Sequence, residues 1–94
     1  MAVQAYTLNT AGPASAVHTL AIDNPKIKIA GCPGKAKVDI YLSFDGSDPD
    51  ATDKAMTIEK DSVFVLNAKT GNRVKFVGHE IQAADSVAVE IENG

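Results

Sequence analysis

The chain has 94 residues and a mass of 9.8 kDa, with 45% hydrophobic residues, one cysteine, no tryptophan and a formal net charge of −3. A chain this short makes one domain, and folding buries only about 60–65% of its unfolded surface. A single cysteine excludes an internal disulfide and a cysteine-based zinc site, while nine Lys and Arg with a pI near 5.2 argue against a nucleic-acid binder.

Charge is unevenly placed, because residues 1–22 contain no Asp, Glu, Lys or Arg. Within them, Val3–Leu8 and residues 17–22 are weak strand candidates separated by Gly12-Pro13. Asn24-Pro25 then leads into Lys26-Ile27-Lys28-Ile29, whose strict alternation predicts a strand with one wet face. After Gly31-Cys32-Pro33-Gly34 comes the clearest strand, in which Val38, Ile40, Leu42 and Phe44 alternate with Lys37, Asp39, Tyr41 and Ser43. Residues 45–49 break it, and residues 56–58 form another weak strand candidate. The continuous run Val63-Phe64-Val65-Leu66 is short and β-branched, as in a strand covered on both faces. Residues 69–73, with Thr70-Gly71-Asn72 at the centre, read as a hairpin turn before Val74 and Phe76, which face opposite to Arg73 and Lys75. No eleven-residue window holds a helical stripe, and the best candidate is a short turn around residues 79–84. The chain then ends in a strand with Val87, Val89 and Ile91 on one face. About seven or eight short strands with turns every 8–12 residues predict an all-β fold, a small antiparallel sandwich or barrel.

The expected inner set is Ile27, Ile29, Val38, Ile40, Leu42, Val63, Val65, Val74, Phe76, Val87, Val89 and Ile91. Each such side chain contributes about 1.5–3 kcal/mol on full burial, which leaves little surplus over chain entropy in so small a core. Either the monomer is marginally stable, or association with copies of itself or a larger surface adds the remainder. Residues 1–22 lack a basic start followed by a long apolar run, and no stretch approaches the ~18 apolar residues of a membrane span. The expected setting is a soluble protein made in a cytoplasm, without a membrane partner.

Four aspartates, Asp45, Asp48, Asp50 and Asp53, fall within nine residues. Calcium requires several oxygen ligands at short spacing, but this spacing does not follow the EF-hand pattern, and Pro49 restricts the loop. A solvated connection with Asx-type turns is the plainer expectation, and calcium the alternative. His18 and His79 lie in no nucleophile motif, and Glu80 beside His79 would point to the opposite face of a strand. Cys32 has no base at a recognisable spacing. The segment 31–35 lacks the spacing and the following helix of a phosphate loop. No catalytic residue and no cofactor is therefore assigned.

The charge-free segment supplies the candidate contacts. Tyr6 and Leu8 could anchor in a partner's pockets, and His18, in phase with Leu20 and Ile22, could face a core or a partner. Two arrangements stay open: an arm covered by another chain, or neutral edge strands of the same sandwich.

Three features carry a family likeness. A strand runs into Tyr41-Leu-Ser-Phe-Asp-Gly-Ser-Asp-Pro-Asp-Ala-Thr52, and Met56 and Ile58 form an apolar patch before the strand at 62–66. The chain then closes on Asp85-Ser-Val-Ala-Val-Glu-Ile91. Over residues 41–91 this resembles the small β-sandwich structural proteins of tailed-bacteriophage virions. The resemblance implies a capsid decoration (cement) protein or another head or tail component, without catalysis. Its partners would be the major coat protein and copies of itself, and its location the virion surface after assembly in the host cytoplasm. A carbohydrate- or peptide-binding module is the alternative. Tyr6 and Tyr41 are the only tyrosines, and with no Trp the aromatic platform that sugars need is scarce.

Overall fold

Alternating strands with one apolar face bury that face by stacking against one another. The computed structural model, which describes residues 3–31, 36–82 and 85–92, places them in two four-stranded antiparallel sheets. Among these residues the strands are β1 (Val3–Leu8), β2 (His18–Thr19), β3 (Lys26–Ala30), β4 (Lys37–Ser43), β5 (Lys54–Ile58), β6 (Ser62–Val65), β7 (Arg73–His79) and β8 (Val87–Glu92). The first sheet has the order β1-β8-β3-β6 and the second β2-β7-β4-β5. The fold is a β-sandwich.

Of the described neighbours in sequence, only β4 and β5 also pair with each other, with an irregularity between Ile40 and Tyr41. Every other connection crosses between sheets. The expected hairpin at 69–73 is therefore corrected: β6 pairs with β3, β7 pairs with β4 and β2, and the turn carries the chain across the sandwich. Its local chemistry is that of a tight turn, with Asn72 N–H donating to the Lys69 carbonyl at 3.0 Å and Gly71 at φ 92°. Turn residues specify the reversal of the chain but not the sheet that receives it.

The core joins the inward side chains of both sheets, and Phe76 is the largest that is fully buried. Ten of the twelve residues in the expected inner set are buried, together with Leu8, Leu20, Ala36, Leu66 and Ala68. Val63 and Val65 are corrections, for they are 59% and 63% exposed. In β6 it is Phe64 that turns inward, followed by Leu66 just beyond the strand. The strand is an edge covered on one face only. Among the described residues the two buried polar ones are satisfied: Ser43 Oγ donates to Asp45 at 2.7 Å, and Asn72 Oδ1 accepts from Lys69 N–H at 2.9 Å.

The charge-free segment divides between the sheets. β1 is an edge strand of the first sheet and β2 an edge strand of the second, so residues 3–8 and 18–19 belong to the sandwich as edges. Of the expected turn at 79–84, His79 instead ends β7, Glu80 follows at φ 55°, and residues 83–84, like Cys32, lie outside the described residues.

Gly31 has φ 83°, and a Cβ there would lie 2.7 Å from the Ser86 carbonyl oxygen. Gly31→Ala should therefore lower stability by about 1–3 kcal/mol, from backbone strain and collision together. Gly71→Ala, at φ 92° with nothing within 4 Å of the added carbon, should lose less. Urea midpoints of the two variants measure the difference.

Candidate functional site

The three expected contact residues do not form an open surface. Leu8 is fully buried in the core, which corrects its assignment as a partner anchor. Tyr6 and His18 are half-buried and face each other, with 3.0 Å between the Tyr6 hydroxyl and His18 Nδ1. Their rings meet edge to face at 6.1 Å, and Tyr6 also packs 6.1 Å from Phe76. This contact ties β1 to β2 across one side of the sandwich. Desolvation pushes the Tyr6 pKa up and the His18 pKa down, so the neutral forms of both groups are favoured.

The aspartate loop after β4 is also closed upon itself. Asp45 accepts hydrogen bonds from Ser47 Oγ, Ser43 Oγ and Ser47 N–H, which hold its carboxyl far below the ordinary range. Asp50 accepts from Thr52 Oγ1 and N–H, and its pKa is lowered for the same reason. Asp53 accepts from the Asp50 N–H, and Asp48 pairs with Arg73 Nη1 at 2.6 Å. Each carboxylate thus serves a turn or an ion pair, and among the described residues no group of three or more His, Cys, Asp or Glu converges to hold a metal ion.

The two outer faces differ in kind. On the second sheet, outward polar groups pair with one another: Lys37 with Glu80 and Glu59 at 3.3 and 3.6 Å, and Thr57 Oγ1 with Asp39 at 2.7 Å. Lys75 Nζ lies 5.6 Å from the centre of the Tyr41 ring. On the first sheet, Lys28 lies directly between Glu90 and Val63 across the strands. Glu92 stands beside Val3. These residues and Lys26 line a groove of about 250 Å³. Val3, 53% exposed, and Val63 line it, and with Val65 three of the four exposed large hydrophobic residues among the described residues lie on this sheet.

The sheet edges differ in the same direction. Exposed edges invite pairing with another chain, and proteins blunt them with short strands, charges or bulges. In the second sheet β2 has only two residues, while β5 carries Lys54 and faces the irregularity in β4. Neither β1 nor β6 in the first sheet contains a charged residue. Their backbone direction follows from one bond, Leu66 N–H to the Pro25 carbonyl at 2.9 Å. In an antiparallel ladder, hydrogen-bonded and non-bonded pairs alternate. Phe64 is therefore bonded to Ile27, while the N–H and C=O of Val63 and Val65 point away from β3 toward the edge. The same alternation, carried across β3 and β8, directs the backbone groups of Val3, Ala5 and Thr7 to the opposite edge.

The charge-free character of Val3–Leu8 and of the run around Val63 was visible in the sequence. The pairing that leaves both edges without a further strand among the described residues was not. Neither protein-family models, curated proteins nor solved structures give a match to this chain.

Because His18 is held neutral, the unfolded chain binds more protons on acidification than the folded one. Stability should be constant with respect to this group above about pH 7 and should fall as pH drops below about 6.5. His18→Gln should remove that component of the pH dependence. Tyr6→Phe, losing one hydroxyl contact, should cost about 0.5–1.5 kcal/mol near neutral pH. Thermal melts of the three proteins across pH 5–8 test both expectations.

Proposed function

We propose that the chain is a non-enzymatic structural protein of a virion, a capsid decoration (cement) protein that joins a coat lattice on its outer face. Assembly in the host cytoplasm and location on the particle follow from that reading. The observation that carries it is the β1 edge: six residues without charge, with exposed side chains at Val3, Ala5 and Thr7 and backbone groups directed outward. An edge of this kind accepts a strand of another protein, whose main chain supplies the affinity and whose side chains supply the specificity. A protein bound only to the assembled lattice stabilises that state by mass action. The choice of a coat protein as the partner rests on the resemblance of residues 41–91 to virion sandwich proteins.

A sugar-binding module has less support. Tyr6 is turned toward His18 and Tyr41 lies half-buried beneath Lys75, so neither ring offers an open platform.

The test is recovery of the chain in density-gradient-purified particles from the phage or lysogen that encodes it. Mass spectrometry should find it in stoichiometric amounts relative to the coat protein. Ala5→Lys, placed on the exposed edge, should leave the melting temperature nearly unchanged and abolish recovery with the particles. A chain that stays in the soluble fractions while particles form normally overturns the reading.

A further inference from the structure

The second open edge is self-complementary, and we infer that β6 pairs antiparallel with β6 of a second copy about a two-fold axis at Phe64. Only Val63 and Val65 of this strand direct their backbone groups outward, and they flank Phe64 symmetrically. An antiparallel approach centred on Phe64 sets Val63 of one copy opposite Val65 of the other. Each of these residues then donates its N–H to, and accepts through its carbonyl from, the residue it faces. The two-fold repeats the exchange, as an isologous interface requires.

Side chains fit the same register. On the outer face the exposed Val63 and Val65 meet the equivalent valines, and toward the sandwich interior the half-buried Phe64 side chains meet each other. One step beyond the strand, Asp61 is set against Asn67 of the second copy, so no like charges oppose each other. Met56 and Ile58, only partly buried on the neighbouring edge strand β5, lie on the same side because residues 59–61 join β5 directly to β6. A second copy therefore covers apolar surface as well as open backbone. The β1 side lacks this combination, since Tyr6 is turned onto His18 and Phe76, and its outward residues are mostly small.

This dimer does not depend on the virion reading, because it is a property of the isolated chain. Sedimentation equilibrium from about 10 μM to 1 mM should show a concentration-dependent rise from 9.8 kDa toward twice that mass. Amide exchange followed by NMR should slow about tenfold or more at Val63 and Val65 as the dimer fills, while Val3, Ala5 and Thr7 stay fast. The double variant Val63→Lys/Val65→Lys, on exposed positions, should remain a monomer with an unchanged circular dichroism spectrum, and Ala5→Lys should still dimerise. A chain that is monomeric throughout this range overturns the inference. So does a dimer whose protected amides are those of β1.

Discussion

The pleat couples two properties of each residue in the first sheet: the face its side chain takes and the direction of its backbone groups. Ile27, Ile29, Val87, Val89 and Ile91 must point inward to build the core, which fixes the register of β3 and β8. A slip of one residue would send every one of these side chains to solvent. With that register set, the single bond from Leu66 to Pro25 determines the bonding parity of the whole sheet. Outward-facing residues at both edges are then the ones whose backbone groups lack a strand partner in this sheet. Side-chain exposure and backbone exposure coincide at Val3, Ala5, Thr7, Val63 and Val65 for this reason.

Alternation placed side chains wherever the strand continued, but it failed at the end of β4, where Ser43 is buried and Phe44, expected on the apolar face, is 73% exposed just beyond the strand. Lys26 to Ile29, Lys37 to Leu42 and Val87 to Ile91 each have one apolar and one polar face, and each face lies where its pattern requires. Val63-Phe64-Val65-Leu66 has no polar member to mark the wet side, so burial on both faces was an equally valid reading. Edge position decided otherwise, and position in a sheet is a long-range property that periodicity does not encode. The turn at 69–73 failed for a related reason: Gly71 determines a reversal, whereas the destination sheet depends on which strand already waits there. Leu8 and His18 show the reverse case. Their neutral surroundings were legible, but a residue shielded by its own fold and one shielded by a partner leave the same trace in composition.

The aspartate loop shows how local bonding engages carboxylates that composition alone would offer to a cation. Four carboxylates in nine residues have the composition of a cation loop. Ser43, Ser47 and Thr52 instead satisfy Asp45 and Asp50 within a few residues, and Arg73 reaches Asp48 from β7. Short polar side chains near aspartates favour such self-contained turns, because the bonds form without closing a long loop. The loop then ends β4 and begins β5 rather than collecting its oxygens about one point.

The contrast between the sheets bears on how so small a chain could act in an assembly. Protecting an edge requires charges, bulges or truncation, and the second sheet has all three while β1 and β6 of the first have none. Two open edges on one sheet would normally allow head-to-tail growth into a fibre, since a heterologous contact need not close. A two-fold contact at β6 closes one edge on itself and leaves only β1 available. The resulting eight-stranded sheet would carry its two β1 strands at opposite ends, separated by roughly 34 Å at about 4.8 Å per strand step. Two identical docking edges at fixed separation bind a repeating lattice with an avidity that neither edge has alone, provided the spacing matches the repeat. Closure at β6 would thus convert an aggregation hazard into a bivalent clamp, and it would cover Phe64, Met56 and Ile58, which are only partly buried against the core of one copy.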